Sequence, residues 1–179
     1  MSWIEVESKI KVEDVALARK KVKEIAKFVR KEHKIDEYYT LQKKGYPEKS
    51  LRVRKNGNKR EVNFKEWMSY KKGVHAKKEV EFDVSDVRDF FELLEDFGFR
   101  KWLVKDKKTE LYEMSDGTHI EINHVRELGW FIEIEVLCRE SAVNEVRKKI
   151  IKIRKKLDFG KKDIEKRGYT KLLWKRRDL

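Results

Sequence analysis

The chain has 179 residues, of which 46 are Lys or Arg and 33 are Asp or Glu, so its formal net charge is +13 at pH 7. A single Pro and the lack of any Ser- or Gly-rich stretch leave no linker, so we expect residues 1–179 to form one domain. Cys138 is the only cysteine, which excludes an internal disulfide and argues against a cysteine-based zinc site. The apolar runs fall well below the roughly 18 residues that a membrane span needs, and charges stand where a signal peptide would be hydrophobic. We therefore expect a soluble, cytoplasmic protein with no membrane partner.

The excess of positive charge favours a polyanionic partner, either a phosphorylated small molecule or a nucleic acid. Charged residues make up 44% of the chain, and Lys and Glu dominate them. That composition is also typical of heat-adapted proteins, which carry many charges without any ligand. The placement of the charges must therefore decide between these interpretations.

An alternating run at residues 4–10 predicts the first β-strand. Glu5, Glu7 and Lys9 share one face of it, and the apolar residues share the other. The two carboxylates lie about 7 Å apart by strand rise. The charged face is either open to water or lines a polar cavity, where the carboxylates could share or flank one metal ion.

Two later strands repeat this plan of a Glu-bearing strand that leads into an amphipathic helix. The capping residues are Asp14 for the first helix, Ser85 for the second and Ser141 for the third. Apolar residues at helical spacing extend the first helix to about Lys31. The helices are predicted at 14–31, 85–98 and 141–157, with a short amphipathic helix at 168–174.

Strands and turns fill the rest of the chain. The Glu-bearing strands are predicted at 4–10, 78–84 and 131–136, and the others at 36–43, 50–56, 60–67, 100–105, 107–114 and 117–125. Eight or nine strands are enough to close an antiparallel barrel with the helices packed outside. The fold class is accordingly α+β, and residues 68–77 are predicted as a loop at the mouth of the barrel.

Each of these strands has one apolar and one charged face. An open sheet with one wet face would show the same pattern. Because the amphipathic helices need apolar sheet surface, the charged faces turn inward if the helices lie outside. The inward-facing residues would be Arg52, Arg54, Asn63, Lys65, Glu79, Glu81, Glu121, Asn123, Glu133 and Glu135. Such a cavity suits a metal-bound polyphosphate, since cationic side chains neutralise phosphate oxygens and carboxylates hold magnesium or manganese.

These residues also carry a family resemblance that extends over nearly the whole chain. Glu5, Glu7 and Lys9 match the Glu-x-Glu-x-Lys signature of the CYTH superfamily, the triphosphate tunnel metalloenzymes. That superfamily includes class IV adenylyl cyclases, thiamine triphosphatases and inorganic tripolyphosphatases. Further matches follow in order: Asp36 with Tyr38, Arg52 with Arg54, Phe64 with Lys65, Lys78 with Glu79 and Glu81, Lys107 with Tyr112, Leu128 to Glu135, and Gly168 to Leu173.

The resemblance implies an eight-stranded antiparallel tunnel. It implies that Lys9, Arg52, Arg54, Lys65 and Lys107 contact phosphates, with Lys9, Glu5 and Glu7 as the catalytic group. It further implies that Glu5, Glu7, Glu133 and Glu135 bind Mg²⁺ or Mn²⁺, with Glu5 and Glu7 on one wall and Glu133 and Glu135 on the opposite wall. Glu79 and Glu81 would line the tunnel as well.

Two positions depart from the family pattern. Asn123 stands where the family usually has Asp, which removes a charge from a second metal position. Either Glu121 on the same face compensates for it, or the second metal is weaker here. Thr109 stands where a phosphate-binding Arg is common.

The resemblance predicts a metal-dependent enzyme that acts on ATP, thiamine triphosphate or tripolyphosphate. Attack by water on the terminal phosphorus would make it a phosphohydrolase, and attack by a ribose hydroxyl on the α-phosphorus of ATP would make it an adenylyl cyclase. No residue in the sequence separates the two reactions. The alternative is a non-catalytic protein that binds nucleic acid or polyphosphate through its basic surface, with nucleic acid the less favoured partner.

Overall fold

Eight antiparallel strands close into a barrel in the computed structural model, which describes residues 3–85 and 87–177. The strands are β1 Trp3–Val12, β2 Lys27–Thr40, β3 Leu51–Asn56, β4 Lys59–Lys71, β5 Val74–Asp83, β6 Arg100–Glu113, β7 His119–Val125 and β8 Gly129–Cys138. The helices are α1 Val15–Lys23, α2 Val87–Asp96, α3 Val143–Lys156 and α4 Tyr169–Arg177. Around the barrel the strands follow the order β1, β5, β4, β3, β2, β6, β7, β8, and β8 pairs with β1. The predicted closed barrel is confirmed.

The helices cover the apolar outer face of the barrel. Ile4 and Val6 of β1 and Ile132 of β8 point outward into a fully buried core, to which α1 adds Val22 and α3 adds Ile150. A separate cluster places α2 over β3 and β4. Because alternate residues of a strand point to opposite faces, this outer packing turns the charged residues of the same strands into the barrel. Within the described residues, no helix is long and apolar enough to span a membrane.

The first helix is shorter than the sequence predicts. Its start is as expected, since the side chain of Asp14 accepts a hydrogen bond from the backbone N–H of Leu17 at 3.0 Å. It ends at Lys23 rather than Lys31, and β2 begins at Lys27. The first half of β2 is exposed on both faces, so it shows no strand alternation, and its pairing with β6 overrides the local helical spacing.

Two other strand predictions also change. Residues 100–113 form one continuous strand rather than two, which sets the number of strands at eight. The predicted loop 68–77 is instead a tight hairpin between β4 and β5. Its turn uses the left-handed backbone of Lys72 and Gly73, at φ 52° and 81°. Arg154 of α3 holds this turn by donating to the carbonyl of Lys72 at 3.2 Å.

The two ends of the barrel differ. At one end lie the β3–β4 and β6–β7 turns, and the polar residues Arg30 and Lys59 line the opening there. At the other end, α4 places the buried ring of Tyr169 against Phe131, with ring centroids 5.1 Å apart, and Val125 joins the same cluster. Aromatic packing therefore narrows the interior at the α4 end.

Candidate functional site

The barrel encloses a polar cavity of about 1160 Å³. Every charged residue that the sequence places in the site lines this cavity: Glu5, Glu7, Lys9, Arg52, Arg54, Lys65, Glu79, Glu81, Lys107, Glu121, Glu133 and Glu135. Asn123 is fully buried beside them and donates to Glu121 and Glu133. The alternation along the strands thus brings together groups that are up to 130 residues apart in sequence.

Three carboxylates converge on one point of the cavity wall. Glu7 of β1 lies directly opposite Glu135 of the neighbouring strand β8, and Glu5 is two residues back on the same face. One oxygen from each of Glu5, Glu7 and Glu135 lies within 4.8 Å of the other two. Oε1 of Glu5 is buried and accepts no hydrogen bond from any described residue. An unpaired buried carboxylate oxygen is costly, so this position fits a cation ligand.

The environment gives the members of this cluster different charges. Burial alone would raise the pKa of Glu7, but Lys77 and Lys9 outweigh it and lower the pKa to about 2. Burial and the negative charge of Glu121 raise the pKa of Glu135 to about 7. Carboxylates that crowd together raise one another's pKa in this way when no cation lies between them. Glu5 and Glu7 each contact a lysine ammonium, so Glu135 is the member of the cluster whose negative charge its surroundings stabilise least.

The carboxylates do not lie on opposite walls as the sequence analysis expects. Because β1 and β8 are neighbours, the pair Glu5 and Glu7 shares one wall with the pair Glu133 and Glu135. In the closed strand order, β3 stands four places from β8, so the wall that faces the carboxylates carries Arg52. The cavity is thus acidic on one side and basic on the other.

Asp36 anchors the basic side. It is fully buried, and its carboxylate accepts two hydrogen bonds from Arg54, at 2.7 and 3.0 Å. Lys105 lies 2.8 Å and Arg52 3.8 Å from the same carboxylate. Burial raises the pKa of Asp36, but Lys105, Arg54 and Arg52 hold it well below its usual value. This one anion fixes Arg54 and Lys105 in place and lies near a third cation, Arg52.

Arg52 is only loosely paired. Its guanidinium nitrogens lie 3.7 Å from Glu81, 3.9 Å from Glu79 and 3.8 Å from Asp36, all beyond hydrogen-bond length. Its buried Nε has no acceptor among the described residues. A guanidinium in this state has donors free for a phosphate.

Lys65 connects the basic side to the three-carboxylate cluster. Its ammonium contacts the carboxylate of Glu5 and lies 3.3 Å from Glu79. Burial lowers the pKa of Lys65. Because Lys65 lies next to Glu5, an anion bound beside the three-carboxylate cluster would contact its ammonium group.

A second pair of carboxylates lies further along the same wall. Glu121 of β7 is directly opposite Glu133 of β8. Lys107 lies 2.7 Å from Glu121 and 3.5 Å from Glu133, and Lys34 lies 3.1 Å from Glu121. Burial opposes the shift, but Lys107 and Lys34 keep the pKa of Glu121 well below its usual value. Of the four predicted metal-binding carboxylates, Glu133 thus belongs to this pair rather than to the three-carboxylate cluster.

Two cations converge on Tyr169 where α4 narrows the cavity. The ammonium of Lys9 lies 3.9 Å from the ring centroid, and that of Lys105 lies 5.3 Å from it. Lys9 also lies 3.4 Å from Glu133. This arrangement holds two positive groups inside the cavity at its narrow end.

Besides the exposed Lys31 and Lys59, sequence analysis missed three lysines that line the cavity. Lys34 falls between the predicted helix 14–31 and the predicted strand 36–43, so no strand face is assigned to it. Lys105 falls at the end of a predicted strand, because residues 100–113 are divided into two strands next to it. Lys77 was missed because the motif was aligned on Lys78, one residue out of step. Strict alternation from Glu79 back along β5 indicates Lys77, which contacts the carboxylate of Glu7.

Thr109, which stands where a phosphate-binding Arg was expected, faces the interior without reaching the cavity. Its hydroxyl donates to Oδ1 of Asn123 at 2.7 Å, and both residues are buried. Thr109 is therefore part of the hydrogen-bond network behind the second carboxylate pair.

Comparison with known proteins gives a consistent result. The family model for the CYTH domain matches residues 3–169. A solved structure from Pyrococcus horikoshii is 30% identical to the chain, with a TM-score of 0.80 over 94% of this chain and 98% of the other. A second protein of the same organism is 28% identical, with a TM-score of 0.82 over 97% and 99% of the two chains. No curated protein matches the chain.

Two more distant structures share the fold alone. A candidate adenylate cyclase from Vibrio parahaemolyticus is 18% identical, with a TM-score of 0.75 over 95% of this chain and 97% of the other. A candidate adenylyl cyclase from Hippeastrum, for which a dominant triphosphatase activity is stated, is 13% identical, with a TM-score of 0.64 over 97% and 96% of the two chains.

Proposed function

The chain belongs to the CYTH domain family, and on that basis we propose that it is a divalent-metal-dependent enzyme that acts on a triphosphate compound inside its tunnel. One observation carries the proposal. Within a single cavity, three converging carboxylates with an unpaired oxygen lie on the wall that faces a loosely paired arginine. A metal-bound polyphosphate needs both groups, since the carboxylates bind the metal and the arginine binds phosphate oxygens.

Glu5, Glu7 and Glu135 would hold the metal. Carboxylate oxygens are the ligands that Mg²⁺ and Mn²⁺ prefer, and three of them leave coordination positions for phosphate oxygens and water. When bound, the metal supplies charge neutralisation and orientation of the phosphates. The raised pKa of Glu135 fits this role, since a cation would restore that carboxyl to its ionised form.

The phosphate chain would lie between the two walls. Arg52 and Arg54 offer forked donors to phosphate oxygens, and Lys9, Lys65 and Lys107 offer point charges from the other strands. Asp36 keeps Arg54 and Lys105 fixed whether or not the substrate is present. A rigid set of donors loses little orientational freedom when the transition state forms.

The reaction is hydrolysis of the triphosphate or cyclisation of ATP. In hydrolysis, an oxygen of water bonds to the terminal phosphorus, the bridging P–O bond breaks, and the water proton passes to solvent or a cavity carboxylate. In cyclisation, the oxygen of the ribose 3′-hydroxyl bonds to the α-phosphorus, and its proton passes to solvent or a cavity carboxylate. The bond from the α-phosphorus to the α,β-bridging oxygen breaks, and pyrophosphate leaves. The tunnel cations would stabilise the leaving phosphate in both reactions. The depth at which the phosphate chain of the substrate lies in the tunnel decides which phosphorus atom the nucleophile attacks.

Turnover of a substrate panel tests the proposal. Tripolyphosphate, thiamine triphosphate and ATP are each offered with Mg²⁺ or Mn²⁺, and the products are identified. We expect Glu7→Gln to lower kcat/KM by more than about a hundredfold, because removal of a group that merely supports a metal ligand costs 10–100-fold. Glu13→Gln, an exposed change just beyond β1, is the matched control and should keep wild-type turnover. If the folded protein turned over none of the three with either metal, the proposal would be wrong.

A further inference from the structure

The cavity contains two groups of carboxylates, and they differ in how their oxygens are paired. In the three-carboxylate cluster, Oε1 of Glu5 has no hydrogen-bond donor among the described residues. In the second pair, Glu121 and Glu133 face each other across neighbouring strands, a spacing at which two carboxylates can share a cation. The state of their four oxygens decides whether they can do so.

All four of these oxygens already have partners. Oε1 of Glu121 lies 3.1 Å from Lys34, and Oε2 lies 2.7 Å from Lys107. Oε1 of Glu133 lies 3.4 Å from Lys9, and Oε2 lies 3.5 Å from Lys107. The ammonium of Lys107 thus lies between the two carboxylates, in the position that a bridging cation would take.

Asn123 completes the enclosure. Its amide nitrogen donates to Oε2 of Glu121 at 3.0 Å and to Oε2 of Glu133 at 2.8 Å. Its carbonyl oxygen accepts from Thr109 at 2.7 Å. Carboxylates only accept hydrogen bonds, so the NH₂ group must face them, and the carbonyl oxygen points away from the pair. Asn123 therefore offers no ligand atom there, whereas an Asp would offer two.

We infer that this protein binds one divalent cation in its tunnel, and that the ammonium of Lys107 takes the place of a second cation between Glu121 and Glu133, whose Oε2 atoms Asn123 also holds. The family resemblance implies a second metal position at these residues, and the donors present here do not fit one. The inference rests on the proposed function only in one respect, namely that the single cation binds at Glu5, Glu7 and Glu135. Lys107 acts as a built-in positive charge whose presence does not depend on the metal concentration.

Mn²⁺ binding tests this inference without any measurement of turnover. The number of Mn²⁺ ions bound per full-length chain is counted from the loss of the free Mn²⁺ signal in electron paramagnetic resonance. We expect one ion in the wild type and still one in Glu121→Gln. The double variant Lys107→Gln/Asn123→Asp should bind a second ion, because it removes the ammonium and supplies a carboxylate. Lys108→Gln, which changes the exposed neighbour on the outer face, should stay at one.

Several results would overturn the inference. They include two ions in the wild type with one lost in Glu121→Gln, and no second ion in a folded double variant, with folding checked by circular dichroism. If the double variant does not fold, the comparison of wild type with Glu121→Gln decides alone. A failure of the proposed function looks different: it would appear as a lack of turnover on every triphosphate, while the Mn²⁺ counts would stand. A chain that bound no Mn²⁺ in any form would contradict both.

Discussion

Replacement of Asp36 by Asn should destabilise the fold more than any surface change of the same chemistry. Asn keeps the size and shape of the side chain but removes its charge. Three cations would then remain buried around a neutral group, namely Arg54, Lys105 and Arg52. The free energy of unfolding should therefore fall.

The size of the loss follows from the geometry. Two unit charges 4 Å apart attract by about 4 kcal/mol at an effective dielectric constant of about 20. Asp36 has two partners nearer than that, at 2.7 and 2.8 Å. Most of this attraction is offset by the cost of desolvating the ions, and measured losses on breaking a buried ion pair are about 3–5 kcal/mol. We expect Asp36→Asn to lose about that amount at pH 7.

Unfolding by guanidinium chloride measures this loss, with Asp106→Asn as the matched control. Asp106 lies on the neighbouring strand, faces outward and pairs with a half-exposed His33, so its change should cost less than about 1 kcal/mol. The pKa of Asp36 in the folded state lies well below the ordinary value of 3.8. Its contribution is therefore complete above pH 3.8 and is lost as the pH falls through the folded-state pKa.

The difference between Asp36→Asn and wild type should thus be constant at neutral pH and shrink in acid. A loss below about 1 kcal/mol at pH 7 would refute this reasoning. A loss that persisted unchanged in strong acid would do so as well, since the effect would then not come from the charge of Asp36.

Two further predictions use the same cavity and the hairpin beside it. Burial, together with Lys107 and Arg54, lowers the pKa of Lys105 to about 8 despite Asp36, so tripolyphosphate affinity measured by calorimetry should fall as the pH rises through 8. Lys105→Arg should lose that step because a guanidinium stays charged, and an unchanged step would exclude Lys105 as its source. Gly73→Ala should cost more unfolding free energy than Gly117→Ala, because both have φ near 80° but only at Gly73 would the new Cβ lie 2.5 Å from Arg154. Equal losses in the two variants would show that the contact with Arg154 relaxes freely.

The barrel and its inward charges could be predicted because they follow from alternation on strands that are buried on one face. Glu5, Glu81 and Glu133 are each flanked by apolar neighbours, so the period of two was visible in the sequence. The first half of β2 could not be predicted in this way. Residues 27–33 are mostly exposed on both faces, and no alternation marks them as a strand. Their conformation depends on hydrogen bonds to residues of β6 that are 75 to 86 positions away in sequence.

The spatial arrangement of the site also could not be predicted from the local sequence pattern. Alternation shows which face a residue occupies, but the strand order decides which walls are neighbours. The wall that carries Glu5 and Glu135 forms because β1, the first strand, pairs with β8, the last. The bridging position of Lys107 likewise depends on the alignment of three strands, since its ammonium reaches Glu133 across β7.

A crystal structure with Mn²⁺ and a non-hydrolysable imido analogue of tripolyphosphate would test the central claim most directly. Anomalous scattering locates the metal, and difference density locates the phosphates. We expect one Mn²⁺ peak between Glu5, Glu7 and Glu135, with the phosphate chain inside the barrel and in contact with Arg52. A metal peak elsewhere, or phosphates bound only on the outer basic helices, would contradict a tunnel enzyme that acts on triphosphates.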